Sequence, residues 1–194
     1  MTMRDAKIER NTNETQIELA LNLDGRGQAR IDSGCPFLNH MLELLAAHAG
    51  FDLEVCCRGD VEVDYHHTTE DIGIALGQAL KAAVGDKHGL ARYGQRLLPM
   101  DEALVLVALD FSGRAYLNFA VEIPTAKVGD FDTELAEEFM QALCREAGLT
   151  LHFNLMFGKN SHHIIEACFK GLGRALREAL TVSGGQIPST KGVL

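Results

Sequence analysis

The chain carries one histidine-rich pentapeptide twice, and this repeat constrains its architecture more than any other feature. His66-His67-Thr68-Thr69-Glu70 recurs as His162-His163-Ile164-Ile165-Glu166, 96 positions further along a chain of 194 residues. The segments that follow also match at five positions, which pair Leu76 with Leu172, Gly77 with Gly173, Ala79 with Ala175, Leu80 with Leu176 and Ala83 with Ala179. Because the offset is about half the chain, the sequence predicts two related half-units, each with one motif copy.

A chain of this length can bury a full hydrophobic core, and no obvious linker separates the repeats. We therefore expect one domain, 1–194, built from half-units at about 1–90 and 91–181 and ending in a Gly-containing tail, 182–194. The formal net charge is −9 and the sequence pI is near 5.3. This acidic balance argues against a nucleic-acid-binding surface.

Cysteine usage and apolar runs indicate the compartment. The five cysteines form neither a CxxC pair nor an even disulfide framework, and the N-terminus has no apolar signal segment. The longest apolar run, 103–109, is too short to span a bilayer and is typical of a buried strand. We therefore expect a cytoplasmic protein with no membrane segment.

Hydrophobic periodicity predicts the same order of elements in both halves. In the first half it predicts a strand at 15–23 whose turn at 24–27 opens a hairpin, a helix at 36–49, a strand at 52–58 and an amphipathic helix that stops near Gly85. In the second half it predicts strands at 102–110 and 115–121, a helix at 132–147, a strand at 150–157 and a helix at 162–181. The sequence therefore predicts an α+β fold with sheets covered on one face by helices.

The repeated motif has the composition of a metal site. Residues three and four apart share a helix face, whereas adjacent histidines diverge by about 100° and tend to serve different ions. Two copies supply four imidazoles and two carboxylates, and His40 and His152 are further donors. This set fits two divalent ions with room for a substrate, whereas a structural zinc site more typically uses cysteine. The alternatives are caps and surface charges for a single motif, a core role for His40 and packing for His152.

Cationic side chains elsewhere suggest an anion clamp. Arg92, Arg114, Lys170 and the Ser189-Thr190-Lys191 segment can hold a phosphate through charge-assisted hydrogen bonds. Each is individually explained as a solvated surface charge. Lys170 alone is tied to the motif, because it stands four residues after Glu166 on one helical face.

These residues fall in segments that closely resemble the imidazoleglycerol-phosphate dehydratase family of histidine biosynthesis. The likeness covers nearly the whole chain, and its matching segments are 10–15, 37–41, 66–71, 158–163 and 188–192. The resemblance implies two similar half-domains with a helical layer packed between two four-stranded mixed sheets, a ribosomal protein S5 domain 2-like arrangement. It also implies imidazole glycerol phosphate as substrate, two Mn²⁺ per active site, and trimers assembled into a 24-mer with sites between subunits.

The resemblance also implies roles for particular residues. The metal ligands would be His40, His66, His67, Glu70, His152, His162, His163 and Glu166. The substrate and its phosphate would meet Glu14, Arg92, Arg114, Lys170, Ser189 and Lys191, with Glu14 as the acid/base group. The counterpart of His40 in the second half is Glu138, so the repeat is imperfect at this position.

The chemistry implied is elimination of water to give imidazole acetol phosphate. The proton to be removed lies on a hydroxyl-bearing carbon and is not acidic, so the hypothesis uses the metal-bound ring as an electron sink. Glu14 would remove the proton after hydroxide leaves, and the enol would tautomerise to the product. Two rival functions use overlapping features: a dimetal phosphohydrolase, which would release inorganic phosphate, and a metal-storing shell protein, which would not need the cationic set.

Overall fold

A computed structural model describes residues 4–182, 184–185, 187 and 189–191. The first half contains β1 (Asp5–Asn11), β2 (Thr15–Asn22), β3 (Ala29–Asp32), α1 (Pro36–Ala49), β4 (Asp52–Gly59) and α2 (His66–Val84). The second half contains β5 (Tyr93–Met100), β6 (Ala103–Asp110), β7 (Tyr116–Ala120), β8 (Lys127–Val128), β9 (Phe131–Asp132), α3 (Leu135–Ala147), β10 (Thr150–Phe157) and α4 (Ser161–Ala179).

The two halves build sheets of identical topology. The first sheet has the order β1-β2-β4-β3 and the second β5-β6-β10-β7, and in each the last pair is parallel while the others are antiparallel. Strands β2 and β6 alternate buried and exposed side chains, which is the period expected of a strand with one face on the core. The small β8–β9 hairpin has no counterpart in the first half.

The four helices form a layer between the two sheets, as the family resemblance implied. Helices α1 and α2 pack on the first sheet and α3 and α4 on the second, while α2 contacts α3 and α1 contacts α4. A Cβ atom added to Gly77 would lie 2.8 Å from the carbonyl oxygen of Leu143, and one added to Gly173 would lie 2.8 Å from that of Leu45. Glycine at these matched positions lets the paired helices approach closely.

The predicted elements are confirmed except for the hairpin at 24–27, and the strands β1, β5, β8 and β9 were not predicted. The turn at 24–27 does not close a hairpin, because β3 pairs with β4 rather than with β2. The hairpin partner of β2 is β1, which the sequence analysis missed together with β5. No helix in the described part of the chain is both long and apolar enough to cross a membrane.

Candidate metal centre

Matched polar side chains precede the two motif copies, which lie at the first turns of α2 and α4. The side chain of Asp64 accepts a hydrogen bond from the backbone N–H of His66 at 2.7 Å, and that of Asn160 accepts one from His162 at 2.9 Å. Asp64 and Asn160 are separated by the same 96 positions as the motifs. The repeat therefore extends to the polar residue two positions before each motif, although only Asn160 is the N-cap of its helix.

One copy of the motif assembles a candidate cation site within the chain. His162 and Glu166 lie one turn apart on α4, and His40 reaches them from α1. The Glu166 Oε2 atom lies 3.1 Å from His162 Nε2 and 3.8 Å from His40 Nε2. One donor atom from each of the three residues lies within 4.8 Å of the others, and no other such group occurs among the described residues.

The donor set of this cluster suits a divalent cation that accepts nitrogen and oxygen ligands. Divalent cations in proteins take four or more ligands, so three protein donors leave room for substrate, water or a donor from another subunit. The face of the His162 ring is fixed by Phe37, whose ring meets it edge-on with centroids 5.3 Å apart. The site therefore has a preset ligand geometry with open positions.

Charge is balanced around the buried Glu166 carboxylate. Burial opposes its ionisation, but the Lys170 ammonium and the His162 imidazole hold the pKa of Glu166 below its usual range. Lys170 forms an ion pair with Glu166 one turn further along α4, as its spacing predicted, and also contacts the Met100 sulfur. An anionic site with an adjacent ammonium can bind a metal ion and a phosphate side by side.

The first copy of the motif does not assemble the same cluster within the described residues. Glu70 pairs with Arg145 of α3 at 3.5 Å rather than with a histidine. The His66 and His67 rings lie edge to face, with centroids 6.1 Å apart, as do those of His162 and His163 at 6.2 Å. Among the described residues, Glu70 therefore does not form a donor cluster with His66 or His67 of the kind that Glu166 forms with His162.

His67 instead lies between two carboxylates. Its Nδ1 atom is 2.9 Å from Asp60 Oδ2, which raises the pKa of the imidazole, and its Nε2 atom is 3.7 Å from Glu14 Oε1. Asp60 follows β4, and Glu14 lies in the turn that joins β1 to β2. The structure thus brings the predicted acid/base residue to the histidine of the first motif.

His163 has the corresponding position in the second half. Its Nδ1 atom lies 2.7 Å from Glu102 Oε2, and this hydrogen bond raises the pKa of His163 and lowers that of Glu102 to about 2. Glu102 also accepts hydrogen bonds from the backbone N–H groups of Lys159 and Asn160. The sequence analysis missed Asp60 and Glu102, although Glu102 stands directly before β6 as Glu14 stands directly before β2.

Among the described residues, most of the candidate phosphate-binding residues contact groups outside the histidine–glutamate cluster. Arg92 donates two hydrogen bonds to the Asp110 carboxylate, at 2.6 and 3.0 Å. The exposed Arg114 follows Ser112, whose hydroxyl accepts from its backbone N–H at 3.1 Å. Ser189 Oγ accepts a hydrogen bond from the Lys191 backbone N–H, and neighbouring Pro188 and Gly192 lie outside the described residues. Only Lys170 meets the histidine–glutamate cluster.

His152 lies on the outer face of the second sheet. It is exposed on the central strand β10, between Ala108 of β6 and Asn118 of β7, and its ring lies 5.6 Å from that of Tyr116. The helical layer, which holds the other candidate ligands, covers the opposite face. Within one chain His152 therefore faces away from the cluster it was predicted to join.

The fold and the cluster together define the class of the protein: a duplicated α+β protein with a histidine–glutamate cation site on its paired helices. The model of the imidazoleglycerol-phosphate dehydratase family matches residues 33–176. Imidazoleglycerol-phosphate dehydratases of Azorhizobium caulinodans and Moorella thermoacetica are 56% and 55% identical to the chain, over 99% and 98% of both sequences in each comparison. The chain belongs to the imidazoleglycerol-phosphate dehydratase family.

Solved structures agree with this assignment. The crystal structure of the dehydratase from Staphylococcus aureus superimposes with a TM-score of 0.85 at 44% identity, over 92% of this chain and 99% of that one. The Pyrococcus furiosus structure, in complex with (S)-C348, gives a TM-score of 0.83 at 38% identity, over 96% of this chain and all of that one. The likeness spans both halves of the molecule.

Proposed function

We infer that the chain is a hydro-lyase that removes water from imidazole glycerol phosphate to give imidazole acetol phosphate in histidine biosynthesis. Membership of the family supports the reaction. The observation that carries the proposal is the cluster of His40, His162 and Glu166 beside the Lys170 ammonium. A cytoplasmic location is part of the proposal, and it is supported by five cysteines that are all free.

Two Mn²⁺ ions per active site are proposed as the cofactor. The proposed ligands are His40, His66, His67, Glu70, His152, His162, His163 and Glu166. Bound divalent ions would supply Lewis-acid stabilisation of negative charge on the substrate's imidazole ring. Imidazole and carboxylate ligands also bind copper and zinc tightly, so metal availability rather than affinity would select manganese.

The chain's own residues carry the proton transfers and hold the phosphate. Glu14, on the tight turn beside His67, is the proposed base for the carbon-bound proton. Lys170 is the proposed phosphate ligand nearest the cluster, and Arg92, Arg114, Ser189 and Lys191 complete the proposed set. Because Lys170 alone of this set contacts the cluster among the described residues, the proposal has some of the others meet the substrate from a neighbouring copy.

The outer faces of the two sheets support assembly through the second half. On the second sheet and at its end large apolar or aromatic side chains are exposed beside polar ones such as Gln95 and Asn154, namely Tyr93, Leu97, Leu106, Tyr116, Met156 and Phe157. On the first sheet the outward side chains include Lys7, Glu9, Glu18, Arg30, Glu54 and Arg58. Contiguous apolar surface marks an interaction site. His152 lies on this apolar face, so packing of copies there would bring its imidazole to a neighbour's site.

A pair of surface variants tests the assembly. Leu106→Asp places a charge on the central strand of the apolar face, and Cys56→Asp places the same charge at an exposed position on the central strand of the other sheet. We expect wild type and Cys56→Asp to have a native mass of 24 chains of 21.2 kDa, and Leu106→Asp to dissociate. Intact assemblies of Leu106→Asp would contradict the proposed interface.

Turnover by metal-stripped protein before and after addition of Mn²⁺ tests the reaction, with acetol phosphate and inorganic phosphate followed together. We expect acetol phosphate to form only with metal and without release of phosphate. Phosphate release would favour the phosphohydrolase. A folded, metal-loaded assembly that forms neither product would favour metal storage.

A further inference from the structure

A polar triad of partly buried Arg10 with buried Thr15 and Asp71 joins the first hairpin to α2. Both oxygens of the Asp71 carboxylate are used: Oδ1 accepts from Arg10 Nη2 at 2.7 Å, and Oδ2 accepts from the Thr15 hydroxyl. The Asp71 side chain is only 8% exposed. Arg10 lies near the end of β1 and Thr15 begins β2. The triad therefore hydrogen-bonds both strands to α2, next to the turn that joins them.

The turn held by this triad carries Glu14. The Thr12 hydroxyl accepts hydrogen bonds from the backbone N–H groups of Glu14 and Thr15, at 3.1 and 2.9 Å. Among the described residues, the ion-pair partner of the Glu14 carboxylate is His67, at 3.7 Å. His67 and Asp71 are four residues apart on α2, so one helix face anchors the hairpin and also presents the histidine to Glu14.

The second half folds the same way without the triad. The β5–β6 hairpin pairs Leu98 with Val105, as the β1–β2 hairpin pairs Arg10 with Ile17. The residues equivalent to Arg10, Thr15 and Asp71 are Leu98, Ala103 and Ala167, and all three are buried. In the second half, the equivalent contact between hairpin and helix is therefore made by three apolar side chains.

Stability alone does not explain the polar version. Removing a buried ion pair in favour of well-packed apolar groups is often neutral or stabilising, because desolvation of the charges opposes their attraction. The buried Nε atom of Arg10 adds to this cost, since it has no hydrogen-bond partner. The polar triad in the first half and its apolar counterpart in the second instead correlate with how the two hairpin carboxylates, Glu14 and Glu102, are held.

Glu102, on the second hairpin, is held directly by hydrogen bonds from two backbone N–H groups and His163. Glu14 has no such bonds among the described residues, which leaves its carboxylate open to a reacting proton. We propose that Arg10, Thr15 and Asp71 are positioning residues for Glu14. This inference rests on the proposed function, in which Glu14 is the acid/base group.

The test copies the second half into the first, as Arg10→Leu, Thr15→Ala and Asp71→Ala together. We expect the triple variant to fold, to bind Mn²⁺ as wild type does, and to keep its KM. Its kcat should fall by about 10²-fold, the typical effect of misplacing a reacting group by about 1 Å. A loss in kcat at unchanged KM would place the defect in the transition state, which a purely structural role would not do.

A double-mutant cycle shows whether the triad acts through Glu14. In a Glu14→Gln background the triple substitution should lower kcat no further, because the group that it positions is already absent. Wild-type kcat in the triple variant, or an equal loss in both backgrounds, overturns the inference. Normal turnover of Glu14→Gln overturns the assigned role of Glu14 itself, and with it the inference.

Single substitutions keep the test decisive if the triple variant does not fold. Thr15→Val removes the hydroxyl at nearly constant shape, and Thr15→Ser retains it. We expect Thr15→Val to lower kcat at unchanged KM and Thr15→Ser to restore it. Equal kcat for the two variants overturns the inference.

Discussion

The two halves of the molecule have the same backbone fold but differ in the side chains around their histidine motifs. Sheet order, hairpin register and the hydrogen bond that the first histidine of each motif donates to the side chain two positions before it are the same in both. The polar pairs between the helices also correspond, since Gln78 donates to Glu146 where Arg174 donates to His48. Duplication has therefore kept the packing of the helical layer.

The side chains around the motifs have diverged. In the second half His162 and Glu166 meet His40, whereas in the first half Glu70 meets Arg145. The Glu102 carboxylate accepts hydrogen bonds from His163 and from two backbone N–H groups. The Glu14 carboxylate instead lies 3.7 Å from His67, on the turn that is held by Arg10, Thr15 and Asp71. The second half contributes His162 and Glu166 to the candidate metal cluster, which His40 of the first half completes, and the first half carries Glu14, the proposed acid/base group.

A large effect is expected to separate the two cations that meet the motif carboxylates, Lys170 and Arg145. Lys170→Met should lower kcat/KM by about 10- to 100-fold, because a hydrogen bond to a charged group contributes roughly 1.5–3 kcal/mol. Arg145→Met should change kcat/KM by less than about fivefold, because exposed ion pairs contribute about 0–1 kcal/mol. Steady-state kinetics at saturating Mn²⁺ compare the two variants. Equal losses would contradict the assignment of phosphate binding to the second motif.

A smaller effect tests the shared packing. Gly77→Ala and Gly173→Ala each force a methyl group against a carbonyl oxygen of the facing helix. Each should lower the free energy of unfolding by about 1–3 kcal/mol, the usual cost of overpacking. Gly184→Ala, at an open position, is the control. Denaturant unfolding measures all three, and a cost at only one of the two helix positions would break the proposed equivalence.

The fold was largely predictable because its strongest elements have regular patterns. Helix α1 begins at Pro36 and ends at Ala49, and Gly50 caps it with a φ of 78°, as the sequence indicated. Strand β5 was missed because Gly94 and Pro99 interrupt its pattern, and β1 because Ala6 and Ile8 are its only inward apolar residues. The hairpin at 24–27 was wrong because turn residues do not show which strand will pair.

The candidate site was less predictable than the fold. The spacing of Glu166 and Lys170, four residues apart on one helix, predicted their contact. Long-range contacts such as His40 with Glu166 became visible only once α1 and α4 were packed. The pairing of Arg92 with Asp110 and the position of His152 on the outer face of the second sheet follow from the packing and pairing of strands, which the local sequence pattern does not give.

The most direct test of the division between the halves is a parallel measurement of bound Mn²⁺ and kcat for Glu14→Gln and Glu102→Gln. We expect Glu14→Gln to retain full metal and to lose turnover by about 10²- to 10⁴-fold, as loss of a general base does. Glu102→Gln should weaken Mn²⁺ binding by about 10- to 100-fold, because it removes the carboxylate that orients a ligand histidine, and should retain most of its turnover when saturated with metal. The reverse pattern, or equal losses in both variants, would contradict the account.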